Sequence, residues 1–204
     1  MSVQPTELGG PYATVLDVGA FRGDFARASL EAWPDTRVLS FEPLEPKPDD
    51  TDTDRWTWFP TALGRQDGLV TINRNEFVPS SSILPMAQLH ATAFPYTAKV
   101  TEAQVGIIPL DEFIELVAAP ALLKIDVQGY ELEVLRGGTL ALTRCQAVVL
   151  EVSWETLYHG APTPAQLATM LQACGFEWVR EVDALYHPKS PKLKLQSDEL
   201  WVRP

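Results

Sequence analysis

Apolar residues along the chain fall in short runs that end on Asp, Glu or Gly, and the stretches between several of them carry helical periodicity. Ala13 to Val18 is the first run, closing on Asp17 and Gly19, and Asp24 to Trp33 predicts a helix that stops before Pro34. Val38 to Phe41 predicts a second strand ending at Glu42-Pro43, and the Pro- and Asp-rich stretch from Leu44 to Arg55 predicts a loop. A third run, Trp56 to Leu63, reads as one strand closing on Gly64, weakened at its centre by Pro60. Leu69 to Asn73, after Asp67-Gly68, predicts a hairpin return. Val78 to Tyr96, with Ser80-Ser81-Ser82 and no clear period, predicts an irregular loop near the site.

The alternation then resumes. A helix is predicted around Asp111 to Val117, a strand over Ala121 to Val127, and a helix over Tyr130 to Arg136 that ends at Gly137-Gly138. Ala147 to Val152 is the next strand. Pro164 to Ala173 is a helix terminated by Gly175, and Phe176 to Val182 with Glu199 to Val202 are two last strands around a basic loop. Strands alternating with helices predict a doubly wound α/β fold, a mostly parallel sheet covered on both faces. The final strand-loop-strand pair breaks that rhythm and predicts an antiparallel strand at the end of the sheet.

Length and composition narrow the class. A chain of 204 residues, 46% hydrophobic and 21% charged, is expected to fold as a single domain over residues 1–204. The net charge of -11 argues against a nucleic-acid partner, because that affinity comes mainly from Lys and Arg on phosphates. Met1 to Gly10 has no signal-peptide pattern and no run is long enough to span a membrane, so a cytoplasmic protein is expected. Cys145 and Cys174, far apart and without CxxC spacing, suggest neither zinc nor a disulfide and are expected as small buried apolar groups. Oligomeric state is left open, a homodimer included.

In a doubly wound sheet, ligands bind beyond the carboxyl ends of the strands, where strand order reverses. Those ends carry Asp17 with Gly19 and Gly23, then Glu42, Ala62-Leu63-Gly64, Asp126 and Glu151. In Asp17-Val18-Gly19-Ala20-Phe21-Arg22-Gly23, Gly19 would let the backbone approach a ligand and Gly23 would let the helix pack closely. Phe21 occupies the second glycine of a dinucleotide GxGxxG, which disfavours a pyrophosphate and stays compatible with S-adenosylmethionine. Glu42 suits a ribose diol, since a carboxylate can accept hydrogen bonds from both hydroxyls. Together the turn and the acid indicate an adenosine-containing ligand.

The stretch Leu123-Lys124-Ile125-Asp126-Val127-Gln128-Gly129-Tyr130-Glu131-Leu132-Glu133-Val134-Leu135-Arg136-Gly137-Gly138 resembles the signature of the FkbM-type methyltransferases. Further matching pieces lie in order around it: Asp17-Val18-Gly19-Ala20, Phe41-Glu42-Pro43, Ala62-Leu63-Gly64, Ser81-Ser82, Pro109-Leu110-Asp111-Glu112-Phe113 and Leu150-Glu151-Val152. The resemblance implies a seven-stranded class I fold, bound S-adenosylmethionine, and methyl transfer to a hydroxyl on a sugar or other small metabolite. It also implies that Asp17 and Gly19 cradle the methionine part, Glu42 with Pro43 meets the ribose, and Ala62 with Leu63 borders the adenine. Phe21 stands where many relatives have Asn and Gln128 where they usually have Glu, and the leader before the first strand is short. Elements ahead of that strand often cover the pocket in this fold.

Methyl transfer to an alcohol needs alignment and a general base. Asp126 is the first candidate and Glu151 the second, each with a structural alternative in ordering its loop. His159 and His90 are loop histidines that could reach a substrate, with solvation the default for His159. Lys124, inside an apolar run, calls for a partner such as Glu131 or Glu151. Asp126 and Glu151 could in principle hold magnesium, a basis too thin to assign a metal. Lys189, Lys192 and Lys194 read as a solvated hairpin tip, and Trp56, Trp58 and Trp154 as packing aromatics more than stacking platforms. A nicotinamide-dependent oxidoreductase and a non-catalytic S-adenosylmethionine-binding domain are the competing readings.

Overall fold

The computed structural model describes residues 3–49 and 54–204. After a 3-10 turn at Pro5–Leu8 come β1 (Thr14–Val18), α1 (Asp24–Ala32), β2 (Arg37–Phe41), β3 (Trp56–Phe59), β4 (Ala62–Leu63) and β5 (Gly68–Asn75). Then follow α2 (Gln88–Ala93), β6 (Val100–Ile108), a 3-10 helix at Leu110–Leu116, β7 (Ala121–Ile125), α3 (Glu131–Arg136), α4 (Thr139–Leu142) and β8 (Cys145–Ser153). The chain ends with α5 (Pro164–Ala173), β9 (Glu177–His187) and β10 (Ser190–Val202).

Seven strands form one sheet in the order β3-β2-β1-β7-β8-β10-β9. Pairs from β3 through β8 are parallel, while β10 runs antiparallel to both β8 and β9, as the break in rhythm at the end of the sequence predicts. β1 and β7 are buried at every position, which is why their sequences read as continuous apolar runs rather than alternating ones. One face packs Leu16, Leu39, Leu123, Val148 and Leu150 against α3, α4, α5 and the 3-10 helix after β6. The other packs Val15, Val38, Leu122, Val149 and Leu200 against α1, Leu8, Tyr12 and Trp33. The caps match the sequence signals: Thr163 and Gln166 form a capping box at α5 with Pro164 in its first turn, and Gly175 follows it in a left-handed conformation.

Several expectations are corrected. The run Trp56 to Leu63 is two strands in two sheets: Pro60 ends β3 at the edge of the large sheet, and β4 joins a three-stranded sheet ordered β4-β6-β5. β6 was not foreseen, since Thr101, Glu102 and Gln104 mask its alternation and its partner β5 defines it. The helix expected around Asp111 to Val117 is a 3-10 helix at Leu110–Leu116, and the irregular stretch 78–96 contains α2. The last two strands extend far beyond their apolar cores, so Lys192 and Lys194 lie within β10 and Lys194 pairs with Glu181 at 2.7 Å. Cys145 is buried as expected, whereas Cys174 is partly exposed. Among the described residues no helix is long and apolar enough to cross a membrane.

Candidate active site

Strand order reverses between β1 and β7, and a cleft opens there beyond their carboxyl ends. Val18, Gly19 and Phe21 border it from the first strand, Glu42, Pro43 and Leu44 from the second, and Asp126, Val127 and Gln128 from the seventh. The small sheet closes the outer side: Ala62, Leu63 and Ile72 with the loop holding Ser81 and Ser82 form an apolar wall with a polar lip. The elements supplying this wall are those whose sequence has the least regular period.

Gly19 has φ +74, and a Cβ there would sit 1.9 Å from the carbonyl oxygen of Asp126, so only glycine lets the turn after β1 lie against the end of β7. Phe21 also adopts a positive φ, 52°, an uncommon state for an aromatic residue. Its N–H donates to Glu42 Oε2 at 2.9 Å, and Glu42 Oε1 accepts from Leu44 at 2.7 Å and Glu45 at 3.3 Å. The Glu42 carboxylate is thus fixed by two loops and still retains acceptor lone pairs on the cleft side. Burial pushes its pKa up, and the N–H donors of Leu44, Phe21 and Glu45 pull it back.

At the end of β7 a polar network replaces the apolar core. Lys124, buried, pairs with Asp17 at 3.2 Å and donates to the Gly19 carbonyl at 2.8 Å. Burial opposes its charge, but Asp17 and Asp126 beside it outweigh burial and hold it protonated. The partner is therefore Asp17, not Glu131 or Glu151. Gln128, with φ 56°, donates through Nε2 to Asp126 Oδ1 at 2.7 Å and to Glu151 Oε2 at 2.9 Å. Tyr158 Oη donates to Gln128 Oε1 at 2.9 Å, which fixes the side-chain amide's orientation, and Ser82 Oγ donates to the Gln128 backbone carbonyl at 2.6 Å. Gln196 adds a second amide donor to Glu151 Oε2 at 2.5 Å. Burial, then Asp126, Glu131 and Asp198, push the Glu151 pKa well above the carboxylate range, and Glu131 rises to about 7 chiefly through burial.

Of the residues singled out in the sequence, Gly19, Glu42, Pro43, Ala62, Leu63 and Asp126 meet at one cleft. Asp17 stands behind the turn, fully buried against Lys124. Ala20 is buried, and Gly23, at φ +79, starts α1 where a Cβ would lie 2.5 Å from the Trp56 ring. Glu151 is reached through Gln128. His159 is exposed and outside the cleft wall, and His90 is buried against Phe94 and Tyr158 with its pKa lowered to about 4 by burial. Gln128, noticed only as a departure from the family pattern, is the hub of the network. The sequence gives no sign of Tyr158, Gln196 and Asp198: the strand register sets Asp198 level with Glu151 and Gln196 opposite Ser153, and Tyr158 reaches Gln128 from the segment after β8. Asp111 has a structural part: its Oδ1 accepts from the N–H groups of Leu140 and Ala141 and caps α4. No group of three His, Cys, Asp or Glu side chains among the described residues is arranged to hold a metal ion.

Asp198 has a pKa pushed up to about 7 by burial first and Asp126 second, with Asp183 adding and Lys124 opposing. The folded protein then keeps a proton that the unfolded chain releases near 3.8, so this group's contribution to stability falls as pH rises from 3.8 towards 7. Asp198→Asn is expected to raise the melting temperature at about pH 8 and to leave it nearly unchanged below the unfolded-state pKa. Melting curves across that range check this; an Asn variant no more stable than the parent at the higher pH would contradict it.

A family profile for the methyltransferase FkbM domain matches residues 17–178. Among solved structures, a methyltransferase FkbM from Methylobacillus flagellatus KT superposes with a TM-score of 0.54 at 16% identity, over 93% of this chain and 43% of that one. A magnesium protoporphyrin IX methyltransferase from Synechocystis PCC 6803, with bound S-adenosylmethionine, gives 0.48 at 10% identity, over 95% and 71%. The fibrillarin pre-rRNA processing protein of Methanococcus jannaschii gives 0.48 at 12%, over 94% and 66%. The present chain thus spans less than half the length of the M. flagellatus protein, and the likeness to it is one of fold. No curated protein matches the sequence. With its signature residues at the cleft and the profile covering most of its length, the chain belongs to the FkbM methyltransferase family.

Proposed function

We propose that the chain is an S-adenosylmethionine-dependent methyltransferase that acts on an oxygen of a small hydroxyl-bearing acceptor. The observation that carries this reading is a single cleft with a backbone-fixed carboxylate, Glu42, at one end and the Asp126-Gln128 rim at the other. Glu42 would hold the ribose hydroxyls, Ala62 and Leu63 the flat adenine, and the Gly19 turn the methionine part. The cofactor supplies the electrophilic methyl group. Asp126 Oδ1 accepts from Gln128, so Oδ2 is the oxygen left to take the acceptor's proton, and Gln128 holds that carboxylate in place. Glu151 sits one amide further back and would position Asp126 through Gln128 rather than touch the acceptor. With Phe21 in the glycine turn and its N–H committed to Glu42, a dinucleotide pyrophosphate has no cradle there.

Calorimetry with S-adenosylhomocysteine and NAD tests this directly, binding of the second without the first being the result against it. Glu42→Gln is expected to weaken S-adenosylhomocysteine by roughly tenfold or more, the scale of one charge-assisted contact. Unchanged affinity would remove Glu42 from the ribose role. Asp126→Asn is expected to lower methyl transfer by about 10²-fold or more while altering cofactor affinity far less, the split anticipated for a general base.

A further inference from the structure

The chain bends twice in succession after β7. Gln128 has φ 56° and Gly129 φ 98°, and together they carry the backbone from the floor of the cleft into α3, with Tyr130 as the last residue before the helix. A Cβ on Gly129 would lie 3.2 Å from Ala161 and 3.3 Å from Leu84 and Tyr158, so the segments packed around it hold the bend in place. Gly129 N–H donates to the buried Glu131 carboxylate at 2.9 Å, and the Tyr130 carbonyl accepts from the N–H groups of Glu133 and Val134 at 3.1 and 3.3 Å. The backbone of Tyr130 is thus fixed from both sides.

Leu132, Val134 and Leu135, which follow it on α3, turn into the core. Tyr130 does not: it is partly buried and lines the cleft. Among the described residues its ring joins neither a buried apolar cluster nor another aromatic ring. Burial, and then the charge of Glu133, raise the phenol's pKa, so the group is neutral. What the ring does meet is the end of β4. A Cβ on Gly64 would lie 3.1 Å from Tyr130 Cε1 and 2.6 Å from Ile107 Cδ1. Gly64 is also pressed from α3's far end, since a Cβ on Gly137 would lie 1.9 Å from the Gly64 carbonyl oxygen. α3 therefore grips the end of β4 at both its termini, with Tyr130 just before its first residue and Gly137 just after its last. The missing side chain at position 64 leaves the ring its seat beside Ala62 and Leu63, which line the same cleft. An aromatic ring on a fixed backbone, facing a cleft and unmatched by any ring of the protein, offers a preorganised surface to something flat and apolar.

We propose that Tyr130 holds the purine of the cofactor, its ring packing on the base beside the Ala62–Leu63 wall. This rests on the methyltransferase reading, which puts the adenine at Ala62 and Leu63, and it adds a contact from the α3 side. The contact with Gly64 places the ring at the base's end of the cleft, whereas the acceptor's place is at Asp126, before the double bend. The base is then held by two separate units of the fold, β4 of the small sheet and the N-terminus of α3.

The test is an isotope-filtered NOE measurement on S-adenosylhomocysteine bound to protein labelled in its tyrosine rings, five in all. Cross-peaks from the purine H2 or H8 proton to one ring are expected, and their loss in Tyr130→Phe, which keeps an unlabelled ring, assigns them. In calorimetry Tyr130→Ala is expected to weaken S-adenosylhomocysteine about tenfold or more, the scale of one base–aromatic contact, while Tyr130→Phe stays within about threefold of the parent. Retention by phenylalanine separates ring packing from a general loss of structure, and the NOE is read on the parent protein however Tyr130→Ala folds. Absence of a purine NOE to Tyr130, or parent-like affinity in Tyr130→Ala, overturns the proposal. Tyr130→Phe binding as weakly as Tyr130→Ala overturns it in favour of the hydroxyl. A parent protein that does not bind S-adenosylhomocysteine strikes the methyltransferase reading and this inference with it; binding without the purine contact strikes this inference alone.

Discussion

Gly19→Ala is expected to abolish measurable S-adenosylhomocysteine binding and to lower stability by about 3 kcal/mol or more, the range of a backbone clash at a special conformation. The added methyl carbon would sit 1.9 Å from the Asp126 oxygen and 2.9 Å from its carbonyl carbon, both backbone atoms that cannot rotate aside. Relief requires the turn after β1 and the end of β7 to separate. Two backbone links resist that: Gly19 N–H donates to the Phe41 carbonyl at 3.0 Å, and Asp126 N–H to the Val18 carbonyl at 3.0 Å. The same seam forms the floor of the cleft, so any separation displaces Asp126 from Glu42. Gly106→Ala is the matched control, because its nearest neighbour would be Thr61 Oγ1 at an ordinary 3.7 Å, and a change within about 0.5 kcal/mol is expected there. Urea unfolding and calorimetry on both variants decide the matter; a Gly19→Ala protein that binds S-adenosylhomocysteine like the parent would show that the seam is not part of the site.

The parts of the fold legible in the sequence are those whose pattern is dictated by burial on both faces. β1, β2, β7 and β8 appear as apolar runs because the sheet is covered on both sides, and their ends mark themselves where Asp17, Glu42, Asp126 and Glu151 interrupt the run. β6 and the outer halves of β9 and β10 are largely solvent-facing, so their strand character comes from their partners and leaves little trace in their own residues. Pro60 marks the point at which the chain leaves one sheet for another. In the site, residues on one turn or one strand end could be read together, as with Gly19 and Glu42. The Gln128 hub could not, because its partners Glu151 and Tyr158 are separated from it by 23 and 30 residues. Its position was visible all the same as a neutral amide within a run of acids, Asp126, Glu131 and Glu133, where a carboxylate would have joined Asp126 and Glu151 in mutual repulsion.

Lys124→Met is expected to cost about 3–5 kcal/mol, the penalty for removing one partner of a buried ion pair, against a total stability of about 5–15 kcal/mol. Asp17 is fully buried, and its oxygens accept no aligned hydrogen bond, so Lys124 at 3.2 Å is what makes its charge tolerable. The methionine side chain fills the space of the alkyl stem, so the loss is electrostatic rather than a cavity. Asp126 and Asp198, which Lys124 also attracts, would lose that attraction at the same time. A fall in melting temperature of roughly 10 °C is anticipated for a chain of this length. Adding Asp17→Asn to Lys124→Met should recover much of that loss, since the double variant no longer buries an unpaired charge. The cycle separates two causes that a single variant confounds. Recovery in the double variant assigns the cost to the stranded Asp17, whereas equal instability with and without Asp17→Asn would mean that Lys124 acts through Asp126 and Asp198 and not through the pair.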